Sequence, residues 1–401
     1  MDLRFDADMA RVICVYSWYR IYNNNVKTAE GFGTSAIAMT YNLAEWKGAF
    51  DTVSTEKSPF LNMGCTCFSW ETEDGMHLLG RTYDQCGNLK GNRIAAVPRN
   101  YPLKLEINER EDRHIRSRYA FAGMAVTGLA SPVMVDGINE MGVMGGLLNY
   151  PGYAAYDVVR DSRHMNIHPG FLTGYLLSQC ASVEEAASIL PSLNLTGERI
   201  FGQEMTVHYI FSDRTGETII IEPDKGGLQI HRDTIGVMTN SPGYQWQQTN
   251  LCNYASVSNV LDASRDYIDV KLRGTAVSSG GGFGLPGDYS SPSRFVRMAV
   301  MKHYAIKGKD EIDGVSRMFN QFSAVNIPEG IVMRQENGDD KKEVTYDQTL
   351  CISVMCAESR TYYFSTCRSR RISALRLTGM AGKEDIAYFE FPEKEDIMYM
   401  N

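Results

Sequence analysis

Basic residues are in short supply. The 401 residues carry 40 Lys and Arg against 48 Asp and Glu, a net charge of -8. Nucleic acid and anionic membrane surfaces favour basic partners, so neither is expected to bind here. Histidine is also scarce: seven residues lie scattered without metal-ligand spacing. No CxxC pair and no HExxH helix occurs, so no zinc site is expected, and no motif calls for a cofactor. The GxSxG nucleophile elbow and the GxxxxGK[ST] phosphate loop are missing too. No run approaches the roughly 18 apolar residues of a membrane span. At the N-terminus the apolar stretch Val12–Tyr16 is short and flanked by Arg11 and Arg20, unlike a secretory signal. A cytoplasmic location is expected.

Hydrophobic residues make up 43% of the chain, enough for a sizeable core without metals or disulfides. The nine cysteines are an odd number, and a chain of this length needs no disulfide framework, so most are expected to be reduced. Residues 1–64 show weak periodicity and the polar run Asn23-Asn24-Asn25. From Cys65 onward, alternating or β-branched runs predict strands at Cys65–Glu71, Met76–Tyr83, Arg93–Pro98, Met205–Ser212, Thr218–Glu222, Thr349–Ala357 and Thr361–Cys367. Ser182 and Glu185 form a capping box that opens a helix to Leu190. Gly170–Cys180, Ser293–Ala305 and Glu311–Phe322 also read as helices. Strands in hairpins with helices in groups point to an α+β fold of antiparallel sheets.

One hairpin brings reactive groups together. Asp74-Gly75 is a two-residue type I′ turn signal. A turn centred there sets Cys65 opposite Asp84, with Cβ atoms roughly 5 Å apart on one face. Arg81 then faces the other way. Taken alone, this pair reads first as a buried structural Cys beside a surface Asp.

Cys65-Thr66 followed by Gly80-Arg81-Thr82-Tyr83-Asp84 resembles the amino terminus of the choloylglycine hydrolase family, which contains penicillin V acylases and bile salt hydrolases. Mature chains of that family start with Cys, with Arg sixteen and Asp nineteen positions later, as here. Leu148-Asn149-Tyr150-Pro151 resembles the segment with the family's fourth active-site position. The stretch Gly236 to Pro242, centred on Asn240, resembles the segment with an oxyanion-hole Asn. Gly284 to Asp288, then Ser291-Pro292-Ser293-Arg294, resembles the segment with the second active-site Arg. The resemblance implies an N-terminal nucleophile hydrolase with an αββα sandwich of two antiparallel sheets. It implies Cys65, Arg81, Asp84, Asn149, Asn240 and Arg294 as site residues, a small N-acyl amide as substrate, and a homotetramer.

In such enzymes the nucleophile's own α-amine is the general base. An α-amine titrates near 8 and a thiol near 8.5, so proton transfer between them is almost isoergic. Cys65 must then be the first residue of the mature chain. Residues 1–64 are expected to be a leader or a misassigned upstream segment, poorly packed, with residues 65–401 as the hydrolase domain. Val97 to Tyr101, Ile221 to Lys225, Thr234 to Tyr244 and Val325 to Pro328 resemble penicillin V acylases, whereas Asn149 matches bile salt hydrolases. A penicillin V acylase-like activity is expected. A bile salt hydrolase, an acyl homoserine lactone acylase, and a thiol-rich binding protein on the same fold are the alternatives.

Overall fold

A computed structural model describes residues 64–106, 115–127, 131–156, 163–200, 203–260, 281–335, 344–378 and 383–400. Of residues 1–64, only Gly64 lies among the described residues, so the expectation of a poorly packed leader falls outside them. Two antiparallel sheets carry the architecture. One contains β1 (Gly64–Glu71), β2 (His77–Cys86), β11 (Val237–Met238), β12 (Val332–Gln335), β13 (Val344–Cys356), β14 (Thr361–Thr366) and β15 (Ser373–Arg376). Its order is β11-β1-β2-β13-β14-β15, with β12 paired to β13. The other contains β3 (Asn92–Val97), β4 (Phe121–Val126), β5 (Val133–Met134), β6 (Asp136–Asn139), β7 (Met144–Asn149), β8 (Val207–Ser212), β9 (Thr218–Asp224), β10 (Gly227–His231) and β16 (Ala387–Phe389). Its order is β10-β9-β8-β7-β6-β4-β3-β16, with β5 on β4.

Helices cover the outer faces. On the second sheet, α1 (Leu172–Gln179) packs against β6 and β7. The helix α2 (Val183–Ile189) starts from Ser182, whose Oγ accepts the Glu185 N–H at 3.1 Å, as the capping box requires. A helix not foreseen, α3 (Tyr244–Leu251), carries few apolar residues and buries only Tyr244 and Gln247. On the first sheet lie α4 (Ser291–Tyr304) and α5 (Glu311–Phe322). Asp310 caps α5, and the buried stripe Gly314, Val315, Met318, Gln321 and Phe322 has helical spacing. Gly80 of β2 lets this helix come close: a Cβ there would sit 2.6 Å from the Phe322 ring and 2.8 Å from Met318 Cε. The layers therefore run helix, sheet, sheet, helix, the αββα sandwich expected.

The first hairpin departs from the expected register. Thr72 pairs with Met76, and the Gly75 N–H donates to the Thr72 carbonyl, leaving three residues in the loop. Gly75 adopts φ +86°, the left-handed position of a type I turn with a bulge. One extra loop residue moves every pairing by one. Cys65 faces Tyr83, Cys67 faces Arg81, and it is Gly64 that faces Asp84. This overturns the expected Cys65–Asp84 pairing and the expected outward Arg81. Cys65, Cys67, Arg81 and Tyr83 share the face between the sheets, while Thr66, Thr82 and Asp84 face the helices.

Candidate active site

The hairpin β1–β2, the end of β7, the loop after β11 and the start of α4 place the side chains of the site. Cys65 is fully buried near the start of β1. Its Sγ accepts from Arg81 Nη2 at 3.1 Å, its N–H donates to Asn240 Oδ1 at 3.0 Å, and its carbonyl accepts from Arg294 Nη1 at 2.6 Å. Burial pushes the thiol up, and the Arg81 guanidinium opposes that rise. A cation beside a buried thiol is what favours thiolate over thiol.

Arg81 is 1% exposed and pairs through Nη1 with Asp136 Oδ2 at 3.3 Å. Its guanidinium also lies over the Tyr83 ring, 5.1 Å from the centroid. Asp84 lies across the sheet from that cluster. Its carboxylate accepts from Thr82 Oγ1 at 3.1 Å and from Thr349 Oγ1 at 2.6 Å, and lies 3.8 Å from Arg294 Nη1. Burial raises its carboxyl, and Arg294 pulls it back. The β13 pairing slips between Thr349 and Cys351, a bulge that turns the Thr349 hydroxyl to the helix side where Asp84 waits. The Asp84 side chain packs on the backbone of Gly64: a Cβ there would sit 3.1 Å from Asp84 Cβ and 3.5 Å from Oδ2.

Arg294 stands in the first turn of α4 because Asp288 holds that end, accepting from Ser290 N–H and Ser293 Oγ. Arg297 ties the same loop down through the Pro286 and Asp288 carbonyls. Arg294 Nη1 also donates to Thr66 Oγ1, and Nη2 to Asn240 Oδ1, both at 2.7 Å. Asn240 therefore receives two donors on Oδ1, and its Nδ2 donates to the Asn149 carbonyl at 2.8 Å. That pattern fixes the orientation of the carboxamide. Asn149 ends β7, and its own Oδ1 accepts from Thr206.

Five of the six residues singled out in the sequence are thus joined by hydrogen bonds, and Asp84 joins them through its ion pair with Arg294. The Cys65 nitrogen, here still a peptide amide, is held by Asn240. Sequence reasoning missed Asp136, Thr66 and Thr349. Only Asp136 left a trace, as a carboxylate inside the apolar stretch Val133 to Ile138. It also missed a second buried cluster: Glu222 accepts from His208 Nδ1 and His231 Nε2, each at 3.1 Å. His208 Nε2 meets the Thr239 carbonyl, one residue before Asn240, and its ring stacks on Tyr150, one residue after Asn149. Among the described residues no group of His, Cys, Asp and Glu could hold a metal. No described helix is long and apolar enough to cross a membrane.

Residues 65–384 match the linear amide C–N hydrolases, choloylglycine hydrolase family. A bile salt hydrolase/transferase of Clostridium perfringens is 31% identical over 315 residues, 78% of this chain and 92% of that protein. Its Lactiplantibacillus plantarum counterpart is 32% identical over 318 residues, with the same coverage. The crystal structure of a mutant conjugated bile acid hydrolase from Clostridium perfringens superposes with a TM-score of 0.73 at 27% identity, covering 84% of this chain and all of that one. Penicillin V acylase from Agrobacterium tumefaciens shares the fold, with a TM-score of 0.62 at 20% identity over 81% of this chain and 90% of that one.

Proposed function

The chain belongs to the choloylglycine hydrolase family of linear amide C–N hydrolases, and from that premise we propose that Cys65 is its N-terminal nucleophile. The contact that carries this reading is Arg81 Nη2 on Cys65 Sγ, inside a cluster that also grips the Cys65 nitrogen and carbonyl. With residues 1–64 removed, that nitrogen becomes an α-amine. It takes the thiol proton, and the thiolate adds to the amide carbonyl. Arg81 favours the thiolate. Asn240, aided by Asn149, donates to the oxyanion through its Nδ2 edge. The C–N bond then breaks, the α-ammonium passes its proton to the leaving amine, and a thioester remains. Water then attacks the thioester and gives a proton to the α-amine; the C–S bond breaks, the carboxylic acid leaves, and the ammonium returns that proton to the Cys65 sulfur. Asp84 and Arg294 hold the strand end on which this depends, and Asp84 accepts from the new ammonium.

The substrate reading turns toward conjugated bile salts. Relatives at 31% and 32% identity are bile salt hydrolase/transferases, whereas the penicillin V acylase neighbour supports the fold alone. Asn149 points the same way. Penicillin V remains the second reading because of the four stretches between Val97 and Pro328 noted above. Both substrates join an apolar acyl body through an amide to a polar, acidic amine. A homotetramer in the cytoplasm completes the proposal.

One experiment tests it. The natively expressed protein is weighed intact, then assayed with glycocholate, taurocholate, penicillin V and an acyl homoserine lactone, with Cys65→Ala as control. A mature chain starting at Cys65 and conjugated bile salt cleavage lost entirely in the control are expected. A different mature N-terminus, or hydrolysis that survives Cys65→Ala, refutes the mechanism. Preference for penicillin V refutes the substrate.

A further inference from the structure

Asp136 touches none of the groups given a role above except Arg81, yet it is among the most enclosed charges in the molecule. It lies on β6, in the second sheet, and reaches across to the first. Its Oδ2 accepts from Arg81 Nη1 at 3.3 Å and from Ser353 Oγ at 2.7 Å. Its Oδ1 accepts from Tyr362 Oη at 2.7 Å and from the Met124 N–H at 3.2 Å. All four neighbours are donors, so Asp136 acts as an acceptor at every contact. It is the one carboxylate in ion-pair contact with Arg81 among the described residues.

The hairpin register, not Asp136, puts Arg81 beside Cys65. Arg81 stands directly opposite Cys67 on the inner face, enclosed by both sheets, with no other place to go. What Asp136 governs is how much of Arg81's charge the thiol feels. Opposite charges in a dry site compensate one another strongly. We propose that Asp136 is a positioning residue that attenuates Arg81, keeping the Cys65 thiol close enough to its α-amine in proton affinity for both to exchange a proton during turnover. An unattenuated Arg81 would lock the pair as thiolate and ammonium. Such a thiolate forms at lower pH but attacks more weakly, by roughly threefold per unit of lowered pKa.

Other charged and titratable groups face this pair. Cys67 and Tyr83 lie on the same hairpin face, and Cys351 and Tyr362 on the neighbouring strands. Asp84 and Arg294 approach from the helix side. Burial raises the thiols of Cys67 and Cys351 and the phenols of Tyr83 and Tyr362, so none of them supplies a competing charge near neutrality. Asp84 and Arg294 pair with each other and leave Arg81 to Asp136.

This inference rests on the nucleophile reading, and the test separates the two. Processed wild type, Asp136→Asn and Ser353→Ala are alkylated with iodoacetamide across a pH series, and the Cys65 peptide is quantified by mass spectrometry. In wild type, activity must vanish in step with Cys65 alkylation; if it does not, the nucleophile reading fails first. Asp136→Asn is expected to move the alkylation midpoint down by roughly one pH unit. Its kcat should fall severalfold with KM little changed. Ser353→Ala frees Oδ2 for Arg81 alone, so the midpoint should move up. A well-folded Asp136→Asn with an unmoved or raised midpoint overturns the inference. If that variant does not fold, an unmoved midpoint in Ser353→Ala overturns it.

Discussion

Glu222 shows how one carboxylate supports the site from behind. Burial alone would raise its carboxyl. Hydrogen bonds from His208 and His231, the His208 charge and the Tyr244 N–H instead hold it at about 2. It steadies His208, which braces the residues beside both Asn149 and Asn240. A carboxyl depressed in the folded state contributes stability that is fully present above its unfolded value and is lost as pH falls through the folded one. The window here runs from about 4.5 down to about 2. Glu222→Gln should therefore melt earlier than wild type at neutral pH, and the gap should narrow as pH falls through that window. Thermal melts at stepped pH check this. A gap that stays constant down to pH 2 would count against the Glu222 account.

At the scale of elements, the fit of α5 onto β2 decides stability. Gly80→Ala would drive a methyl into the Phe322 ring and Met318. Overpacking of this kind costs roughly 1–3 kcal/mol. The variant should unfold at lower denaturant, and pairing it with Phe322→Leu should recover part of the loss. A Gly80→Ala protein as stable as wild type would mean that the helix sits further out. Elements of this kind were legible when their periodicity was strong: α5, α4 and the strands β1 and β2 fall close to the ranges expected, whereas β13 starts at Val344, ahead of the expected Thr349. Less legible were β4, β6 and β7, built from Phe121–Val126, Asp136–Asn139 and Met144–Asn149, which are buried on both faces. A strand enclosed on both sides shows no alternation to read. Six members of the candidate site could be singled out in the sequence, but not their geometry. Asp74-Gly75 looks like a two-residue turn, whereas the observed register has a three-residue loop and turns Arg81 inward. Asp136 was hidden for a different reason: its partners Arg81, Ser353 and Tyr362 lie on three strands far away in the chain.

The same distances shape the molecule as a whole. Arg294 reaches the Cys65 carbonyl across 229 positions, Asn240 reaches the Cys65 amide across 175, and Asp136 meets Arg81 across 55. Contacts between distant segments form late, since long loops must close first. If the proposed removal of residues 1–64 uses this same cluster, it cannot precede docking of both sheets and α4. In pulse-labelled synthesis, chains beginning at Cys65 should appear only after the protein resists protease; early cleavage in protease-sensitive chains would rule this out. The grip of Arg294 on the Cys65 carbonyl then has a second meaning. On that proposal, a copy whose helix layer has not settled would keep residues 1–64 and stay chemically silent, and maturation itself would certify that folding is finished.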